Sequence, residues 1–191
     1  MLVFDQETQD WRKVGKKGAK RVAVSPDGTP WILNDENNIY RATSGGWKRV
    51  PGKATSITIG ADGSVFILGP IKAKTGYKIY QLDREQKIWK AVPGRGMRLA
   101  VDFTGVPWVI STAQMIFKQT TEGWLKLTGR SKIIMGGQDG SMYVLDNTKT
   151  REGYGIWKWH SKNRSWKAIN GRANFLAVGS DGKPYAIRAN G

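Results

Sequence analysis

Apolar residues in this chain recur in short alternating runs, with none of the three-to-four-residue spacing that marks a helix face. Ile57-Thr58-Ile59 and Val65-Phe66-Ile67-Leu68 flank Ala61-Asp62-Gly63. A period near two is that of a strand with a buried face, and Asp-Gly between two such runs signals a tight hairpin, because glycine accepts positive φ. The same arrangement returns along the chain, so the pattern predicts short antiparallel strands of about four to six residues and no helix.

Tryptophan reveals the period. Trp11, Trp47, Trp89, Trp124 and Trp166 are separated by 36, 42, 35 and 42 residues, and the turn glycines Gly28, Gly63, Gly105, Gly140 and Gly182 by 35, 42, 35 and 42. Two independent markers thus share one repeat. Each unit reads as Trp-x-x-[Val/Leu/Ile], a glycine followed by Lys or Arg, an apolar strand, Asp-Gly, an aromatic strand, and a strand ending in an aromatic. Gly69 to Tyr77 and Asp146 to Tyr154 are insertions 77 residues apart, which points to duplication of a two-unit segment.

Four meandering strands per unit, named A to D from the axis outward, make one blade of a β-propeller. The last unit stops after two strands, Phe175–Val178 and Pro184–Arg188, and the chain opens with two more, Leu2–Phe4 and Trp11–Val14. The expectation is an all-β, five-bladed β-propeller forming one domain over residues 1–191, its last blade closed by the N-terminal strands so that no inner edge is left bare.

Val50-Pro51-Gly52-Lys53-Ala54 before Ile57 to Gly63, and Ser25-Pro26-Asp27-Gly28-Thr29-Pro30-Trp31 before Ile39-Tyr40-Arg41, resemble the tectonin repeat. That family includes the tachylectin-1-like and fish-egg lectins, and the similarity runs over essentially the whole chain in five units. The resemblance implies a propeller that binds carbohydrate, including the sugars or lipopolysaccharide of microbial surfaces, through sites repeated around the ring. Tectonin lectins usually have six blades. This chain offers five, so closure in trans by a second chain stands beside closure within a monomer, and site geometry does not carry over position by position.

Charge narrows the partner. The chain has 31 Lys+Arg against 15 Asp+Glu, a formal charge of +16, which favours an anionic ligand. Sorted by face, the D-to-A links carry Lys16, Lys53, Arg95, Arg130 and Arg172, and the two long B–C loops add Lys72, Lys74, Lys149 and Arg151. Eleven of the fifteen acids fall in A–B and C–D turns on the other side, including Asp27, Asp62, Asp102, Asp139 and Asp181. The expectation is a disc basic on one face and acidic on the other, although the turn aspartates also have a purely local use.

Aromatic rings at repeating positions are expected to fill the gaps between blades. Tyr77, Tyr154 and Trp159 fall outside those positions and are the candidate exposed rings on which a pyranose could stack. His160 is the single histidine, set in no nucleophile pattern, and no calcium loop or phosphate-cradling glycine motif occurs. No enzyme activity, cofactor or metal is expected. With no cysteine, redox chemistry gives no compartment. The start lacks the basic and apolar regions of a secretory signal, leaving the cytoplasm or secretion without a recognisable signal as expectations. No transmembrane segment is expected.

Three functions compete at this level. One is a lectin-like module for acidic or phosphorylated glycoconjugates on microbial or cell surfaces. Another is a basic scaffold for anionic polymers or membranes, with nucleic acid the weaker version. The third is a protein-interaction propeller.

Overall fold

The computed structural model describes residues 2–5, 7–13, 18–179 and 181–188, with side chains described for 7–10, 18–179 and 181–188. Every regular element among them is a strand. The first hairpin is β1 (Leu2–Asp5) with β2 (Asp10–Lys13), and a four-stranded sheet follows from β3 (Ala19–Val24), β4 (Pro30–Asn34), β5 (Asn38–Thr43) and β6 (Gly46–Lys53). The second such sheet is β7 (Ser56–Ile59), β8 (Val65–Ala73), β9 (Gly76–Asp83) and β10 (Ile88–Gly96). β11 (Arg98–Val101), β12 (Pro107–Ile110) and β13 (Met115–Thr120) lead into β14 (Gly123–Gly136), whose second half opens the next unit with β15 (Met142–Thr150), β16 (Gly153–His160) and β17 (Ser165–Ala173). β18 (Phe175–Val178) pairs with β19 (Pro184–Ile187).

All pairings are antiparallel between sequence neighbours, and β3, β7, β11, β14 and β18 stand side by side in chain order. The fold is therefore all-β and propeller-like. Among the described residues β1 pairs with β2 and β18 with β19, without a ladder joining the two hairpins. Among the described residues no helix is long and apolar enough to cross a membrane.

The core lies between consecutive sheets. Trp31, Leu33 and Ile39 pack against Ile57, Val65 and Ile67. Phe66, Leu68 and Ile79 turn the other way, toward Leu99, Val101 and Val109. The run Val65-Phe66-Ile67-Leu68 is buried throughout because both faces of β8 are covered. Each such side chain contributes about 1.5–3 kcal/mol on burial. At the two ends of the row this cover stops: Val22 and Val24 on β3, and Phe175, Tyr185 and Ile187 on β18 and β19, are exposed.

The glycine-then-cation motif proves to be a bulge. The β9–β10 ladder slips between Val92 and Arg95, skipping Pro93-Gly94, and β5–β6 slips so that Val50 faces Ile39 and Lys53 faces Asn38. Gly52, Gly94, Gly129 and Gly171 all have positive φ at this place, as a glycine bulge requires. The expected link cations thus sit on paired strand beyond a bulge. The expected long B–C loops are likewise hairpin extensions, with Lys72 opposite Tyr77 and Lys149 opposite Tyr154, since the backbone regains its ladder after each irregularity.

Candidate ligand-binding surface

The bulge brings the predicted cations to the B–C hairpins of the same unit, and two of them are then spent on structure. The Arg95 guanidinium donates to the Gly76 carbonyl at 3.2 Å, and Arg172 donates to the Gly153 carbonyl at 3.3 Å. Lys53, Lys72, Lys74, Arg130, Lys149 and Arg151 are exposed. Lys16 lies outside the described residues.

The three candidate rings are half-buried, where exposed rings were expected. Tyr77 packs on the Phe66–Leu99 cluster and Tyr154 on the Tyr143–Leu176 cluster. Trp159 meets Trp108 at 5.4 Å and Trp166 at 5.1 Å, both edge-on. Their strand register turns them toward the neighbouring sheet, which sequence position alone did not disclose. Lys132 stands over the Tyr154 ring at 5.2 Å, close enough for a cation–π contact. His160 is exposed at the end of β16. No group of three His, Cys, Asp or Glu that could hold a metal occurs among the described residues.

A groove of about 760 Å³ opens between the second and third sheets on the bulge side. Pro93, Phe117 and Trp124 form apolar wall, and Lys78 and Arg95 border it. Trp124 donates its indole N–H to the Pro93 carbonyl at 2.6 Å, which holds the ring against the bulge. The volume is that of a small-ligand site with a few polar groups at its rim. Reasoning from sequence assigned Trp124 and Phe117, as repeat-position rings, chiefly to the gaps between blades and did not single them out as a site; the Pro-Gly pair of the preceding unit is the signal that could have marked the groove.

On the opposite side, part of the acidity of the turns is offset by neighbouring cations. Its turn aspartates are engaged locally: Asp27 accepts from the Thr29 amide, Asp62 from Ser64, Asp139 from Ser141 and Asp181 from Lys183. The backbone N–H of Thr29 holds the Asp27 carboxyl below its usual value, and the N–H of Lys183 does the same for Asp181. Strand cations neutralise two of the turn aspartates, Arg41 at 3.7 Å from Asp27 and Lys118 at 3.4 Å from Asp102. Cross-strand neighbours supplied these counter-charges, and turn composition could not show them.

Known proteins agree with this architecture. The solved structures that resemble it include TolB from Acinetobacter baumannii, with TM-score 0.68 and 14% identity over 90% of this chain and 49% of that one. A putative gluconolactonase matches with TM-score 0.62 and 12% identity over 98% and 77% of the respective chains. YCF48 bound to D1 peptide matches with TM-score 0.64 and 11% identity over 94% and 66%. At these identities the likeness concerns fold alone. The chain spans 49%, 56% and 46% of the length of three of the solved chains it resembles. Among curated proteins, no sequence match is found. The Tectonin domain family model matches residues 2–154, the span that holds the Pro-Gly bulges, the aspartate turns and the outer-strand tryptophans through the third unit, and the chain belongs to that family.

Proposed function

We propose that this chain is a carbohydrate-binding, lectin-like module for acidic or phosphorylated glycoconjugates such as lipopolysaccharide, working by binding without catalysis. The observation that carries this reading is the groove between the second and third sheets, where Trp124, Pro93 and Phe117 stand beside Lys78 and Arg95. An apolar wall takes a pyranose face, while the exposed Lys78 at its rim takes an acidic substituent. Lys53, Lys72, Lys74, Arg130, Lys149 and Arg151 extend the positive surface along the same side. Repeated weak sites gain roughly 10²–10⁴ in avidity on a surface that engages several together.

The reading includes one domain over residues 1–191, a ring of five blades completed by the N-terminal strands. The exposed apolar side chains on the two end sheets, Val22 and Val24 on one and Phe175, Tyr185 and Ile187 on the other, support mutual closure.

Binding of the protein to lipopolysaccharide, a neutral glycan and DNA, compared between about 50 and 200 mM salt, tests the function. A lectin-like module retains lipopolysaccharide binding that free sugar competes. A scaffold neutralising six to ten phosphates would instead lose about 10³–10⁵ in affinity on DNA and lipopolysaccharide alike, and that outcome overturns the carbohydrate reading. The formal charge of +16 keeps this scaffold as the second reading.

A further inference from the structure

The fourth unit departs from the others at its bulge. The residue before the bulge glycine is Pro51 in the first unit, Pro93 in the second and Thr128 in the third, whereas in the fourth it is Asn170, followed by Gly171. Among the described residues this Asn-Gly pair occurs once. An asparagine followed by glycine carries its own nucleophile, because the next backbone nitrogen closes a five-membered ring on the side-chain amide carbon and glycine has no side chain to obstruct the approach. A fold suppresses this reaction by holding the backbone N–H in a ladder and the side-chain amide in hydrogen bonds.

Neither restraint acts at Asn170. The β16–β17 ladder passes from Ile156 opposite Ile169 directly to Gly155 opposite Arg172, so Asn170 and Gly171 have no residue facing them. Both are exposed. No hydrogen bond holds the Asn170 side chain among the described residues. Asn38 shows the contrast: it is buried in its sheet, donating to Glu36 at 2.8 Å and accepting from Arg49 at 3.0 Å. The aspartate turns share the following glycine, but the carboxylates of Asp27, Asp62, Asp139 and Asp181 are each turned back onto a backbone N–H. A carboxylate is also a poorer acyl electrophile than an amide.

We propose that Asn170-Gly171 is a site of self-modification, where Asn170 deamidates through a succinimide to isoaspartate in the folded protein. The Gly171 nitrogen bonds to Asn170 Cγ and gives up its proton, while the Cγ–Nδ2 bond breaks and the side-chain nitrogen leaves as ammonia. Water then opens the ring at either carbonyl. Opening at the main-chain carbonyl leaves isoaspartate, with the chain routed through Cβ and Cγ; opening at Cγ leaves aspartate. Either product adds a carboxylate to the unit that carries exposed Lys149 and Arg151. Isoaspartate also lengthens the main chain inside the bulge that sets Arg172 opposite Gly155. The inference is independent of any ligand reading of that surface, since the reaction needs only these two residues and water.

The whole protein and the free peptide of residues 168–172, incubated separately at neutral pH and body temperature, test it. The tryptic peptide of that span is followed by its mass shift from amide to acid, with fragmentation that tells isoaspartate from aspartate. Conversion in the folded protein is expected at a rate within about tenfold of the free peptide's, with isoaspartate the main product. Asn170→Thr, which copies the third unit, should abolish it. Asn163, exposed but followed by Arg164, should stay intact over the same period. Slower conversion than that, aspartate without isoaspartate, or equal loss at Asn163 would overturn the proposal.

Discussion

Trp89 donates its indole N–H to the carbonyl of Pro51 at 2.8 Å, reaching from the outer strand of one sheet to the bulge of the sheet before it. Trp124 repeats the contact one unit later on Pro93. Trp166 holds the same repeat position but departs from it: its ring packs on Trp108 and Trp159, and its buried indole nitrogen has no partner among the described residues.

That difference predicts opposite responses to one substitution. Trp89→Phe keeps an aromatic ring, loses the donor and orphans nothing in the core, so urea denaturation should show a loss of about 1 kcal/mol. Trp166→Phe removes a buried donor that has nothing to donate to, and should be neutral or slightly stabilising. Equal losses in the two variants would refute the latch.

The bulge glycines extend the test. A Cβ on Gly94 would lie 2.6 Å from Trp124 Nε1, whereas one on Gly129 meets nothing within 4 Å. Both have positive φ, 100° and 87°. Gly129→Ala should therefore cost about 1–2 kcal/mol for its backbone alone. Gly94→Ala should cost roughly 1–3 kcal/mol more, because the ring must move from its seat. Denaturation midpoints at unchanged slope are the measurement.

Acid should weaken the protein in part through Asp102. Burial by itself would raise this carboxyl, but it accepts from Thr104, from the Trp108 indole at 3.0 Å and from the Val106 amide, with Lys118 beside it, and these hold it below the usual value. A depressed folded value means stability that is present at neutral pH and is lost as pH falls from about 4 through the lower folded value. Asp102→Asn should cost about 1–3 kcal/mol at pH 7, since an amide donor turned to Trp108 or Lys118 is mismatched. Its stability should also decline less steeply below pH 4 than the wild type's; parallel acid curves would exclude this role.

Two arginines at one repeat position should separate stability from binding. Arg95 holds the Gly76 carbonyl, while Arg130 is exposed. Arg95→Ala should lower stability by about 0.5–1.5 kcal/mol and speed amide exchange in the β8–β9 hairpin. Arg130→Ala should leave stability within about 0.5 kcal/mol and show its effect in lipopolysaccharide binding. A binding loss confined to Arg95→Ala would argue against Arg130 as part of the surface.

Much of the fold was legible because its signals are local. The alternation around Asp62-Gly63 and its counterparts marks hairpins through the backbone freedom of glycine, and the tryptophan spacing marks the units. The site was less legible. Tyr77, Tyr154 and Trp159 read as free rings, yet strand register turns them onto neighbouring sheets. Arg95 and Arg172 read as ligand cations, yet each is close to a carbonyl of its own hairpin.

Sequence by itself determined the repeated strand units, the turns, the bulge glycines and the excess of positive charge, all consequences of residue type acting on its own backbone or on the chain as a whole. Tertiary structure alone decided which cations are neutralised and which remain available. Arg41 finds Asp27 across two strands, while Lys48, directly opposite it, takes part in no ion pair among the described residues. Coulomb attraction depends on distance in space, and that distance is set by register and by the packing of one sheet on the next.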